Sequence, residues 1–88
     1  MHAVLVSVTI SDADKATNYL REEVVPRVKQ APGFVAGYWT RIGSDQGRGT
    51  IVFESEDAAR AVADGIEQEP GDFVTMNSVD VGEVVESA

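Results

Sequence analysis

Apolar and polar residues alternate along four stretches of the chain, and this alternation predicts four β-strands. The first covers Ala3–Ile10, the second Phe34–Ile42, the third Thr50–Glu54 and the last about Phe73–Val85. In the first strand, Val4, Val6, Val8 and Ile10 share one face, and Ala3, Leu5, Ser7 and Thr9 share the other. In the second, one face carries Phe34, Ala36, Tyr38 and Ile42, and the other carries Val35, Gly37, Trp39 and Arg41. In the last, Val79, Val81 and Val85 lie on one face, and Ser78, Asp80 and Gly82 on the other.

Two further stretches have apolar residues at helical spacing. We expect Ser11 to cap the first helix, Pro26 to kink it or end its regular part, and Ala31-Pro32-Gly33 to stop it. Ser55 caps the second helix, whose small alanines allow close packing on a sheet, and Pro70-Gly71 closes the connection that follows. The run Gly43–Gly49 predicts a hairpin loop, in which the glycines supply unusual backbone angles.

The order β-α-β-β-α-β predicts a single α+β domain over residues 1–88, a ferredoxin-like sandwich with strand order 4-1-3-2. Both helices then cover one face of a four-stranded antiparallel sheet. The open face carries Leu5, and the strand parity adds Val35 and Trp39. Since an exposed apolar patch is unfavourable, we predict a homodimer that pairs through the open sheet face. If the paired sheets curl into a barrel, the cavity between them is the expected ligand site.

The charge of the chain excludes several classes of partner. Among its 88 residues are 15 acidic and 7 basic side chains, giving a net charge of −8, and no base follows Arg60. A nucleic-acid or anionic-membrane partner would need a basic face. The chain has no cysteine, no signal-peptide pattern at its start and no apolar run of the roughly 20 residues that span a bilayer. These features predict a cytoplasmic protein.

Two segments resemble a known family. The runs Ala31-Pro32-Gly33-Phe34-Val35-Ala36-Gly37-Tyr38-Trp39 and Ile51-Val52-Phe53-Glu54-Ser55-Glu56-Asp57-Ala58-Ala59, with the glycine-rich turn between them, are similar to antibiotic-biosynthesis monooxygenase-like domains of the dimeric α/β-barrel superfamily. The resemblance implies a dimeric α/β barrel that binds a small aromatic molecule, similar to the cofactor-independent monooxygenases of aromatic substrates. The alternative is a noncatalytic dimerisation or ligand-sensing module.

The heme-degrading branch of that superfamily has an Asn on the first strand, a Trp near the end of the third and a His associated with the second helix. Here Ser7 is available on the first strand, Phe53 stands about where the Trp would be, and no His follows the start of the second helix. These departures count against heme degradation, and no cofactor or metal is expected.

Trp39 and Arg41 are the principal candidates for ligand binding, because their parity places them on one side of a strand. Trp39 could stack on a planar aromatic ligand and Arg41 could stabilise a phenolate or enolate. In the alternative interpretation, Trp39 fills the dimer interface and Arg41 forms a salt bridge at its rim.

Ser7, Thr9 and Asp80 are the other ligand-binding candidates. The two hydroxyls could orient a ligand oxygen, or they could be satisfied by water or a neighbour. Asp80 could act as a base or pair with Arg41 across a dimer, or it could be solvated. The single histidine, His2, lies beside the N-terminus, and the sequence identifies no general base or other catalytic residue. The third strand is too short for its parity to assign a face to Phe53.

Overall fold

The strands form a single sheet in the order β2-β3-β1-β4, and every neighbouring pair is antiparallel. The computed structural model describes residues 1–68 and 74–88, with β1 at His2–Ile10, β2 at Phe34–Ile42, β3 at Gln46–Phe53 and β4 at Val74–Glu83. The predicted ferredoxin-like α+β sandwich and its strand order are confirmed. The predicted Pro70-Gly71 connection and the strand start at Phe73 lie outside the described residues, and Val85 lies beyond the end of β4.

The first crossover is a continuous helical segment made of three parts. It consists of α1 (Ala13–Tyr19), a π-helical turn (Leu20–Val24) and α2 (Val25–Lys29). The cap is Asp12 and not Ser11, because the Asp12 Oδ1 accepts the Lys15 backbone N–H at 3.1 Å. The helical segment continues through Pro26, but its regular α-helical part ends ahead of it, at Tyr19. The π-helical turn precedes Pro26, which falls at the start of α2, where its missing N–H is tolerated.

The second crossover helix, α3 (Glu56–Gln68), packs more closely on the sheet than the first segment does. Ser55 caps it as predicted, its Oγ accepting the Ala58 N–H at 3.2 Å. Ala59 and Ala63 are buried, and these small side chains let the α3 backbone approach β1, β3 and β4. The inner face of the first segment carries larger side chains, and the backbone of this segment lies close to the described strands at few positions. One half of the sheet is therefore tightly covered and the other half is not.

The tightly packed core lies under α3 and α2. Val4, Ile51 and Phe53 are fully inaccessible, and the Phe53 ring meets Phe34 edge-on with the ring centroids 6.2 Å apart. Phe53 thus faces the helices, a face that the short predicted strand was not sufficient to assign.

A β-bulge in β2 reverses the predicted faces of most of that strand. Phe34 pairs with Phe53 but Ala36 pairs with Val52, so Val35 is an extra residue with no partner in the register. Because one unpaired residue shifts the alternation by one, every later side chain changes face. Trp39 therefore faces the helices and packs against the core, whereas Tyr38, predicted to lie in the core, is 68% exposed on the open face.

The glycine-rich run is mostly strand and not loop. β3 begins at Gln46, and Gly47 and Gly49 are buried positions within it. Only Gly43, with φ of +65°, has the left-handed backbone that the predicted hairpin called for. A Cβ on Gly47 would come within 2.9 Å of the Val8 Cγ2. The strand glycines are thus explained by close approach of other side chains to the sheet.

Candidate ligand-binding site

The less tightly covered half of the sheet encloses an open cavity of about 670 Å³, beneath the first helical segment. Its walls are predominantly aliphatic and aromatic. The sheet contributes inward side chains of β1 and β4, and the helical segment contributes one face of α1 and the π-helical turn; these lining residues include Val6, Val8, Ile10, Met76, Tyr19, Leu20 and Val24. The volume lies within the roughly 300–1,000 Å³ of small-molecule sites.

Trp39 forms part of the cavity wall because two glycines make room for its indole. A Cβ built on Gly37 would lie 2.8 Å from the Trp39 Cη2, and one on Gly49 would lie 3.3 Å from the Cδ1. The six-membered ring therefore rests over the β2 backbone at Gly37 and the pyrrole ring over β3 at Gly49. Any side chain at Gly37 would require the indole to move.

Arg27 and Arg41 place their side chains at the border of the cavity. Arg48 also adjoins it, but it alternates with the buried Gly47 and Gly49 and pairs with Ser7, so its side chain leaves the strand on the open face. Arg41 pairs in register with the buried Gly47, which places it on the inner face of β2, two residues beyond Trp39. The Arg48 Nη1 donates to the Gly47 carbonyl oxygen at 2.9 Å. Among the lining residues that the structure describes there is no Asp or Glu. The cavity therefore combines apolar walls with a positive border.

The structure divides the five candidates of the sequence analysis between the two faces of the sheet. Trp39 and Arg41 line the cavity on the helical side, as a pair on one face, although the face is opposite to the predicted one. Ser7, Thr9 and Asp80 lie on the open face, away from the cavity. The Thr9 Oγ1 accepts a hydrogen bond from the Asn77 Nδ2 at 3.0 Å, so a neighbour satisfies this hydroxyl.

A pairing of Asp80 with Arg41 across a dimer, one of the alternatives left open for Asp80, is not favoured by these positions. Asp80 stands opposite Leu5 on β4, at one edge of the sheet, and Arg41 lies on β2 at the other edge. The bulge at Val35 has also turned Arg41 to the opposite face. In a dimer that pairs through the open faces of the sheets, Asp80 would therefore lie on the interface side of its sheet and Arg41 on the helical side.

Most of the cavity residues were not recognised as ligand-site candidates. Tyr19, Leu20 and Val24 have the spacing of an ordinary apolar helix stripe, and Val8 and Ile10 that of an ordinary core strand. Such a pattern shows which side chains face inward, but it does not show whether those of the helix and those of the sheet contact one another or leave a cavity between them. The contrast between these larger side chains and the alanines of α3 is the signal that could have indicated unequal packing.

His2 lies away from the cavity, at the start of β1. Its Nε2 is 3.6 Å from a Glu56 carboxylate oxygen at the beginning of α3, and Arg60 lies 3.5 Å from the other oxygen of the same group. Within residues 1–68 and 74–88, no group of His, Cys, Asp and Glu side chains is arranged to hold a metal ion. In the same ranges no helix is long and apolar enough to cross a membrane.

Comparison with known proteins identifies similar structures but no sequence family. No family model matches the chain, and no curated protein matches it significantly. HapK from Hahella chejuensis is 12% identical, with a TM-score of 0.71 over 100% of this chain and 96% of HapK. A dimeric ferredoxin-like protein from an uncultured marine organism is 11% identical, with a TM-score of 0.63 over 100% of this chain and 98% of the other.

The heme-degrader MhuD from Mycobacterium tuberculosis, whose structure holds two hemes in its active site, is 18% identical, with a TM-score of 0.61 over 98% of each chain. These likenesses confirm the resemblance at the level of fold: the chain has the ferredoxin-like fold of these structures. Sequence identities this low establish a shared fold, whereas the function has to be argued from the residues of this chain.

Proposed function

We propose that this protein binds a planar, largely apolar small molecule in the cavity between its sheet and its first helical segment. The observation that carries the proposal is the Trp39 indole, which is held against Gly37 and Gly49 at the wall of a 670 Å³ apolar cavity. A conjugated ring system placed there gains stacking on the indole and burial against aliphatic side chains. MhuD, on the same fold, binds a planar molecule in its active site.

Binding of heme itself is not favoured by the residues of this chain. In the heme-degrading branch that the chain resembles, a histidine is associated with the second crossover helix, and here no His follows the start of α3. The only histidine, His2, is near Glu56 and is not among the described residues that line the cavity. The histidine of the heme-degrading branch therefore has no counterpart in this chain.

The proposal extends to binding and not to oxidation. Oxygenation of an aromatic substrate through its anion would require a group that accepts a proton from the substrate. Among the described lining residues there is no carboxylate, histidine or lysine in that position. The cavity supports the small-molecule-binding part of the expected function, and a ligand-sensing role fits the same geometry.

We also propose that two copies of the chain pair through the open face of the sheet. Leu5, Tyr38 and Ile42 lie on that face with 46%, 68% and 50% of their surfaces exposed. In the register, Thr50 stands between Leu5 and Tyr38, so that the two larger side chains belong to one row across the sheet. Burying this row would add stability to a domain with few fully buried large side chains. The dimeric ferredoxin-like neighbour supports such an assembly.

Titration with 1-pyrenemethanol, a neutral planar probe, tests the proposed binding function. Trp39 is the only tryptophan of the chain, so its fluorescence reports directly on a ring bound beside it. We expect saturable quenching of this emission. Replacing Trp39 with leucine should weaken binding about tenfold, since stacking on an aromatic side chain contributes about 1–3 kcal/mol.

Tyr38 provides the matched control, because it is the adjacent aromatic residue on the opposite face of β2. Binding measured through the pyrene fluorescence should be unchanged in Tyr38→Leu. Equal losses in Trp39→Leu and Tyr38→Leu, or no saturable binding by the parent protein, would contradict the proposal.

A further inference from the structure

We infer that the molecule bound in this cavity carries an ionised oxygen group, a carboxylate or a phenolate, which Arg41 recognises. The inference rests on the proposed binding function and specifies the chemical class of its ligand. It concerns an aromatic acid whose ring system packs beside Trp39 and whose charge lies towards Arg41.

The distribution of charge over the chain is the first argument. The chain carries 15 acidic and only 7 basic side chains. Arg27 and Arg41 nevertheless both border this one cavity, and its described lining contains no acidic residue. In a chain of net charge −8, a cavity whose charged border is positive only is a local reversal of sign. Such a reversal favours an anionic ligand over a neutral or cationic one.

The position of Arg41 relative to Trp39 is the second argument. The two residues are separated by one position on the inner face of β2, which places their Cα atoms about 7 Å apart. Opposite Arg41 the strand partner is Gly47, whose inner side is covered by the aliphatic side chains of Val8 and Ile10. At a separation of about 7 Å, a ring beside the indole can present a substituent on its edge to the guanidinium.

The available hydrogen-bonding capacity of Arg41 is the third argument. Within residues 1–68 and 74–88, the structure gives its guanidinium no hydrogen-bond or ion-pair partner, while Arg48 already bonds to the Gly47 carbonyl. A planar guanidinium can hold a carboxylate through two parallel hydrogen bonds and a phenolate through one or two. Arg41 is exposed at the border of the cavity, where a ligand can reach its guanidinium.

A comparison of three probes with the same ring system tests the inference. The probes are 1-pyrenecarboxylate, 1-pyrenemethanol and 1-hydroxypyrene, each titrated against the parent protein at fixed ionic strength. We expect the carboxylate to bind about tenfold more tightly than the alcohol, because hydrogen bonds to charged groups are worth about 1.5–3 kcal/mol. If the site takes phenolates, bound 1-hydroxypyrene will show the absorption spectrum of its anion at a pH where the free probe is neutral.

Arg41→Gln and Arg21→Gln form the matched pair of variants. Both remove one positive charge, but Arg21 is an exposed residue of the π-helical turn that is not among the cavity-lining residues. The ratio of the affinity for the carboxylate to the affinity for the alcohol should fall close to one in Arg41→Gln and stay near ten in Arg21→Gln.

Two results would overturn the inference while leaving the binding function intact. One is equal affinity of the parent protein for all three probes. The other is an equal loss of preference in both variants, which would show an effect of net charge alone. Failure of every probe to bind would instead contradict the binding function on which the inference rests.

Discussion

A Gly37→Ala variant is expected to bind 1-pyrenemethanol at least about tenfold more weakly than the parent protein, although it adds only one methyl group. The Cβ of the new alanine would lie 2.8 Å from the Trp39 Cη2 and 3.0 Å from the Cζ3. Such distances are too short for carbon atoms in contact, so the indole has to leave the β2 backbone. The open side is the cavity, and the displaced ring would occupy space that the ligand needs.

The same displacement should alter the protein without ligand. An indole lifted from the sheet is more exposed to water, so the emission of Trp39 is expected to shift to longer wavelength. The free energy of unfolding, measured by urea denaturation, should fall because Trp39 packs against the core. Binding is measured through the pyrene fluorescence, which does not depend on the altered tryptophan signal.

Gly82→Ala is the control for this substitution. Gly82 is also a glycine of the sheet, but a Cβ built there meets no heavy atom within 4 Å. Its replacement should leave binding unchanged and raise the free energy of unfolding slightly, since alanine restricts the unfolded chain more than glycine does. Unchanged affinity and emission in Gly37→Ala would mean that Trp39 does not form the wall of the ligand site.

Leu5→Glu is expected to convert the protein from a dimer to a monomer at micromolar concentration. In the proposed assembly Leu5 is buried against the partner, and a carboxylate there would lose its water without gaining a counter-ion. The new charge would also stand opposite Asp80 in the β1–β4 register, which adds like-charge repulsion. Together these effects should raise the dimer dissociation constant by at least about a hundredfold.

Sedimentation equilibrium gives the oligomeric state, and circular dichroism verifies that the variant is folded. Leu5→Met serves as the control, because it keeps an apolar side chain of similar volume and should remain dimeric. A folded Leu5→Glu protein that is still dimeric would place the interface elsewhere. A monomeric parent protein would contradict the proposed assembly altogether.

Element types and order follow from the sequence because their signals are local. Alternation over β1 and the apolar stripes of the helices depend only on which side chains must face inward. Ser55 was recognised as a cap because one local hydrogen bond satisfies the helix end there. At the first helix the predicted cap, Ser11, is one residue early: Asp12 has the same capping preference and makes the hydrogen bond instead.

The face on which the site lies could not be predicted, because it depends on one unpaired residue. Nothing in the apolar run that contains Val35 indicates that this residue will be left out of the register. Once it is, Trp39 and Tyr38 exchange faces and the expected site moves from the dimer interface to the helical side. Gly47 and Gly49 are predicted in a loop for a related reason: glycine is typical of turns, whereas its use to admit Val8 at Gly47 and the Trp39 indole at Gly49 is a tertiary requirement.

The pairing of Trp39 with Arg41 survived this reversal, because both follow the bulge and change face together. Period-two alternation places Trp39 and Arg41 on the same face of the sheet, whereas the packing of the whole domain determines which face that is. Ser7, Thr9 and Asp80 are on strands whose outward faces were predicted as observed, so the bulge separated them from the pair.

We expect the ligand to bind between the sheet and the first helical segment, and not between the sheets of two copies. A crystal structure of the protein with bound 1-pyrenemethanol tests this placement. The pyrene ring should lie beside Trp39, enclosed by side chains such as Val8 and Leu20. A ring held on the open face, against Leu5 and Tyr38, or a cavity closed by its own side chains while the ligand lies elsewhere, would contradict it.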